Sequence, residues 1–344
     1  MKKSDLSPDN TSRRSFLYQS SLASLGLLIT GRSLGGNPVA LFQTRPNSLI
    51  SGVQIGAITY SFRSLPGSPD QVLQYCINSN ISAIELMGDA VEDYAGKPVN
   101  TVKLPPRVPG QKLELTDEQK AQVKAYQQQV ALWREGVAMD KFMELRKKYN
   151  SAGVSIYAFK PSALNADNTD GEISYALNVA KALGARSVTV ELPTDPAHSK
   201  RLGDLAQKHK IYIGYHAHLQ ATDTAWDVAL DQSPYNSMNL DCGHYIAAGG
   251  NNTKESLLAL IESKHHRITS MHIKDRKNKT NGGKNMPWGE GDTPLKEILG
   301  LLKKKKYKIP ATIELEYDIP AGSDAVKETK KCFEYARTLL ESDI

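Results

Sequence analysis

The 344-residue chain is 40% hydrophobic and 23% charged, a balance that excludes a disordered or membrane-embedded protein. Most of its formal charge of +6 lies in the first 45 residues, where Lys2, Lys3, Arg13, Arg14, Arg32 and Arg45 face only Asp5 and Asp9. The body is close to neutral and its one basic run, Lys303 to Lys306, ends a predicted helix, so a nucleic-acid partner is excluded.

Residues 1–45 read as an export signal and linker. Ser12-Arg13-Arg14-Ser15-Phe16-Leu17 carries a twin-arginine pair, and Leu17 to Ile29 is a mildly apolar run rich in Ser, Ala and Gly. That run is shorter than the about 20 apolar residues a membrane-spanning helix needs, and it has the length of a signal core. The expectation is twin-arginine export to the periplasm. No A-x-A cleavage site follows, so a retained N-terminal membrane anchor facing the periplasm is the alternative.

From residue 52 onward, short β-branched runs alternate with stretches of helical period. In chain order they are strand Val53–Ser61, helix Pro69–Ser79 and strand Ala83–Met87, then, after a long connection, helix Met139–Ala152 and strand Val154–Lys160. Helix Ile173–Leu183, strand Ser187–Leu192, helix Ala197–Lys208, strand Ile211–Ala217 and helix Ala225–Asp231 follow. Strand Met238–Asp241, helix Lys254–Ser263, strand Ile268–Lys274, helix Pro294–Lys304, strand Ala311–Tyr317 and helix Ser323–Glu341 complete the chain. Eight strand-then-helix repeats without hairpin signals predict an α/β fold, a single closed parallel (β/α)8 barrel over 52–344. A doubly wound open sheet would carry a Gly-rich phosphate turn after an early strand, and Gly56 to Gly67 holds none. The connection 88–135 exceeds what a barrel loop requires. It is Pro- and Gly-rich at Leu104–Gly110 and helical around Asp117–Leu132. Loops after strands lie on the catalytic face, so this insertion is expected to wall or cover the pocket, with a surface excursion or oligomer contact as the alternative. Cys76, Cys242 and Cys332 match neither a disulfide framework nor a zinc motif and read as buried thiols.

The strand ends are unusually polar. Strand four ends at Glu191, strand five at His216-Ala-His218, and strand six at Asp241-Cys-Gly-His244. Strand seven ends His272-Ile-Lys274-Asp275, and strand eight Glu314-Leu-Glu316. In a barrel these side chains converge on one mouth, where charges are costly to bring together without a cation or substrate. Carboxylates with an imidazole are a ligand set for Mn²⁺, Mg²⁺ or Co²⁺, with Zn²⁺ a further candidate. The absence of thiolates argues against a closed structural zinc site.

Asp241-Cys-Gly-His244 and His272-Ile-Lys274-Asp275, together with the strand-end glutamates, resemble the xylose-isomerase-like TIM-barrel superfamily of sugar phosphate isomerase/epimerase type. Ketose 3-epimerases, inosose dehydratases and 3-keto-glycoside lyases belong to it. The resemblance covers the chain from about residue 52 to the end, and Trp288-Gly-Glu-Gly-Asp292 resembles the family's turn after strand seven. It implies one divalent metal ion, Mn²⁺ foremost, held by Glu191, Asp241, His272 and Glu314. Glu316 has the parity of Glu314 and is the alternative last ligand.

The expected chemistry is isomerisation or epimerisation. An ion bound at the substrate carbonyl and a neighbouring hydroxyl stabilises the enediolate formed when the adjacent proton leaves. Glu191 and Glu314, on opposite sides, then remove and return the proton. His216 and His218 are candidates for acid or base on a leaving group, or for binding substrate hydroxyls. His244, Lys160, Lys274 and Trp288 are candidate substrate contacts, while Tyr60 and Phe62 either stack on a sugar or pack. Export points to a small non-phosphorylated sugar. A 3-keto-glycoside lyase or dehydratase using the same enolate is the first alternative, a non-catalytic carbohydrate-binding barrel the second, and a homo-oligomer is left open. An endonuclease-like reading would need more histidines and a basic rim.

Overall fold

Eight parallel strands close on themselves in the computed structural model, which describes residues 45–105 and 114–342. They are β1 (Val53–Ile58), β2 (Ala83–Met87), β3 (Ser155–Lys160), β4 (Ser187–Glu191), β5 (Tyr212–His216), β6 (Asn236–Asp241), β7 (Ile268–Ile273) and β8 (Ala311–Ile313). Each pairs with its sequence neighbours, and β1 pairs with both β2 and β8, which completes the barrel. The export signal expected in residues 1–45 lies, apart from Arg45, outside the described residues. Among the described residues no helix is long and apolar enough to cross a membrane.

The outer helices are α1 (Pro69–Asn78), α2 (Gly88–Tyr94), α3 (Asp117–Gly136), α4 (Asp140–Ser151), α5 (Asp170–Leu183) and α6 (Pro196–His209). After them come α7 (Asp227–Gln232), α8 (Cys242–Ala248), α9 (Lys254–Lys264), α10 (Leu295–Lys305) and α11 (Ala325–Glu341). Several start at signals plain in the sequence. Ser68 with Gln71, Thr116 with Gln119 and Thr169 with Glu172 each form a capping box, satisfying two orphan amides reciprocally. All three cysteines are buried and free.

Two antiparallel pairs depart from the expectation of no hairpins. Leu49–Ile50 pairs with Val53–Gln54 across Ser51 and Gly52, whose φ values of 48° and 83° give the left-handed turn a two-residue hairpin needs. Asp275–Arg276 pairs with Asn285–Met286 beyond β7. Strands one and eight are shorter than expected, because Thr59–Phe62 coils into a 3-10 turn and the chain leaves the ladder after Ile313.

Within the insertion, α3 buries only Val130 and Arg134. The Arg134 guanidinium donates to Glu92 at 2.9 and 3.1 Å, to Glu172 at 2.9 Å and to Ser162 at 3.1 Å. This buried ion triplet fastens α3 to α2 and α5 and floors a polar cleft of about 490 Å³.

Candidate metal centre at the barrel mouth

Below the mouth the lumen is filled by hydrogen-bonded polar side chains. Glu85, Thr189, Asn239 and Ser270 come from four strands and are at most 1% exposed. Thr189 donates to Glu85 Oε1 at 2.6 Å, and Asn239 Nδ2 reaches Glu85 Oε2 at 3.2 Å and Ser270 at 2.9 Å. Above this layer stand His216, Asp241, His272 and Glu314.

The orientation of each ring follows from its partners. His216 Nδ1 lies 3.0 Å from Asn239 Oδ1. The Asn239 amide nitrogen is already committed to Glu85 and Ser270, so that oxygen accepts and His216 Nε2 keeps a free lone pair. Burial and the neighbouring His272 hold His216 below its ordinary pKa, which keeps it neutral. His272 Nε2 lies 2.8 Å from Glu85 Oε2, while its Nδ1 faces Glu314 Oε2 at 3.1 Å. A carboxylate behind an imidazole is the arrangement that aims the other ring nitrogen at a metal.

Asp241 sits between them. Its Oδ1 accepts the His244 amide at 2.6 Å and starts α8. Its Oδ2 is buried without a hydrogen-bond partner. Around that oxygen His216 Nε2, His244 Nε2 and His272 Nδ1 each stand at 3.9 Å. Lys274 Nζ approaches to 3.0 Å without forming a hydrogen bond to it. A buried carboxylate oxygen that accepts no hydrogen bond and is offset by Lys274, with the lone pair of His216 Nε2 beside it, fits a divalent cation once His272 gives up its Nδ1 proton. His216, Asp241 and His272 are close enough to share one ion, and Glu314 stands against His272.

Glu191 is placed elsewhere. It ends β4 half exposed, with Lys160 Nζ at 3.0 Å and His218 Nδ1 at 3.2 Å. Burial works to raise its pKa, but His218 and Lys160 outweigh that and hold it well below the ordinary carboxylate range. Glu316 touches Lys274 at 2.6 Å and, unlike Glu314, has no contact with His272. Burial opposes the charge of Lys274, yet Asp241, Glu314 and Glu316 raise its pKa above the usual lysine value.

Lys160 is therefore paired rather than simply exposed. Phe62 is a packing residue, buried against Tyr75 at 5.4 Å between ring centroids, while Tyr60 stays 38% exposed. Trp288 packs edge-on against Tyr335 at 6.1 Å. Asp275 is structural, since it accepts the amides of Gly289, Gly291 and Thr293 and so shapes the turn after β7. Sequence reasoning missed Glu85 and Asn239. The signal for Glu85 was a carboxylate in the middle of an apolar strand, which has to be paired.

Two outcomes follow from this geometry. Glu85→Gln leaves shape but removes the charge behind His272, and the affinity for Mn²⁺ should fall about 10–100-fold in a competition titration. An unchanged affinity would detach Glu85 from the centre. In the metal-free protein, burial works to lower the His272 pKa, but Glu314 and Glu85 outweigh it and raise it to about 10. This raised pKa contributes stability that is complete below about pH 6.5 and lost as pH rises through about 10. A cation must displace that proton, so Mn²⁺ affinity should rise about tenfold per pH unit between about pH 6.5 and 8.5. A flat profile would remove His272 from the ligand set.

A closed (β/α)8 barrel with polar and charged side chains gathered at its strand C-termini defines a TIM-barrel protein. The family model described as xylose isomerase-like TIM barrel matches residues 113–337, and the chain belongs to that family. Solved structures with the same fold include a sugar phosphate isomerase/epimerase from Parabacteroides distasonis at 16% identity, with 85% of this chain and 96% of that chain covered and a TM-score of 0.51. D-Psicose 3-epimerase from Clostridium cellulolyticum, solved with D-tagatose, matches at 12% identity, 84% and 100% coverage and a TM-score of 0.56. The protein assigned as the 3-DHS dehydratase of petrobactin synthesis in Bacillus anthracis matches at 13% identity, 82% and 98% coverage and a TM-score of 0.55. At these identities the likeness speaks for the fold. No curated protein sequence matches the chain.

Proposed function

We propose that this protein is a metal-dependent sugar isomerase or epimerase that moves a proton at the carbon beside a carbonyl. The observation that carries the reading is Asp241 Oδ2, buried and without a hydrogen-bond partner amid imidazole nitrogens at the barrel mouth. His216, Asp241, His272 and Glu314 are proposed to hold the ion, with Glu191 left outside the ligand set. A divalent ion there supplies Lewis-acid polarisation of a carbonyl and offsets the charge that builds up on deprotonation.

The protein groups support transfer across two faces. β4 and β8 lie on opposite sides of the ring. They bring Glu191, with Lys160 and His218, to one side, and Glu314, with Lys274 and Glu316, to the other. A carboxylate on each face is what removing a proton from one side and returning it to the other requires. Both lysines facing the centre are already neutralised by carboxylates, which favours a sugar without phosphate. Export to the periplasm, part of the same proposal, points the same way.

One observation favours a lyase or dehydratase as the second reading. His218 is half exposed at the rim and hydrogen-bonded to Glu191, which raises its pKa against partial burial. A charged imidazole in that place suits protonation of a departing oxygen. Incubating the Mn²⁺-loaded protein in D₂O with neutral ketoses, aldoses and 3-keto-glycosides decides the matter. Metal-dependent deuterium uptake next to the carbonyl, absent in Asp241→Asn, is the expected result. Loss of a β-substituent selects the second reading, and no exchange across the panel by loaded protein would refute proton transfer altogether.

A further inference from the structure

We propose that Arg276 is a positioning residue that fixes the tautomer of His244, making His244 a permanent N–H donor to a substrate oxygen. The inference deepens the reading above and rests on it for the existence of a substrate.

His244 lies in the first turn of α8 and is 8% exposed. Its Nδ1 meets Arg276 Nη1 at 2.5 Å. A guanidinium offers only N–H donors and stays protonated in proteins. Nδ1 must therefore be the acceptor, and the single proton of the neutral ring lies on Nε2. That nitrogen faces the centre, 3.9 Å from Asp241 Oδ2, with the ring edge-on to His218 at 4.6 Å and to His216 at 5.8 Å.

Arg276 is itself immobilised. Its Nε and Nη2 both donate to the Gly283 carbonyl, in the connection between the two short strands beyond β7. Gly243 is what lets this segment lie so close to α8. A Cβ there would stand 2.5 Å from Lys274 Cγ, 2.9 Å from the Lys274 carbonyl oxygen and 3.3 Å from Arg276 Cγ.

The consequence is a division of labour among rings that look alike. The nitrogens of His216, His218 and His244 are near enough to share an ion. A protonated Nε2 cannot ligate, so His244 does not complete a second metal position. It is left to donate to a hydroxyl or carbonyl oxygen, as a neutral imidazole held from protonation does elsewhere in catalysis.

The test is a long-range ¹H–¹⁵N correlation on the ¹⁵N-labelled full chain, metal-free and with Zn²⁺, with His244→Asn used to assign the ring. The wild type should show Nε2 protonated and Nδ1 bare in both states. Arg276→Met should give mixed tautomers or move the proton to Nδ1, and Arg276→Lys, which keeps a cationic donor, should restore Nε2–H. With any substrate found in the D₂O screen, Arg276→Met should lower kcat about 10–100-fold with metal content unchanged. A wild-type Nδ1–H, a tautomer indifferent to Arg276→Met, or loss of the Nε2 proton on Zn²⁺ binding would each overturn the proposal. The tautomer is read without turnover, so an inactive protein with the stated tautomer would count against the function reading alone.

Discussion

Asp241→Asn should leave the barrel folded and empty of metal. The substituted side chain keeps an oxygen to accept the His244 amide, so the start of α8 survives. Its other atom becomes an NH₂ donor where the ion needs an anionic oxygen and where Lys274 already brings positive charge. The loss of affinity should exceed the roughly 10–100-fold expected for a supporting residue such as Glu85. Elemental analysis after dialysis, with thermal melting in parallel, should show about one equivalent of divalent metal in the wild type and none in Asp241→Asn or His272→Ala. Full retention in both variants would break the central reading and leave a metal-free binding barrel.

The largest effect on stability is expected far from that centre, at Arg134→Met. α3 is held to the barrel by this side chain, by Val130 and by Trp133, which packs edge-on against Tyr175 at 5.8 Å. Removing the guanidinium leaves Glu92, 1% exposed, with the longer Lys97 pair at 3.5 Å, and Glu172, 7% exposed, with the Thr169 amide at 3.0 Å. Breaking a buried ion pair from one side typically costs about 3–5 kcal/mol, whereas replacing charged partners together with apolar groups is far cheaper. Urea unfolding should therefore show a loss of about that size for Arg134→Met and a smaller one for Arg134→Met with Glu92→Met. Equal losses in the two would mean that packing, not stranded charge, fastens the helix. The effect should be only modestly weakened by high salt, because the pairs are largely buried.

The barrel was legible because each of its levels repeats. β-Branched runs alternating with stretches of helical period recur in a pattern that a βα repeat explains, and Gly184 ends α5 where the sequence breaks. The gathering of Asp241, His272 and Glu314 was legible for the same reason, since strand C-termini share one mouth. What the sequence hid was rotation and stagger. Glu191 and His216 end adjacent strands, and the resemblance implies Glu191, not His216, as the ligand beside Asp241. Which one faces Asp241 depends on strand tilt and register around the ring, and the structure turns His216 inward and leaves Glu191 at the rim. The free nitrogen of His216 depends on Asn239, a residue with no distinguishing pattern of its own. Arg134 hid differently, because an arginine on a highly polar helix reads as solvated until its partners from α2 and α5 are in place.

The layer of Glu85, Thr189, Asn239 and Ser270 has one more effect. It plugs the barrel like a floor, so nothing passes through the ring from one end to the other. Whatever enters by the mouth must leave by it. On the proposed reading, access is governed at the doorway by the loops that follow the strands, while the side chains proposed to handle protons are held by the strands beneath. Altering those loops should change which molecules are admitted and how fast they are exchanged without disturbing the machinery they reach.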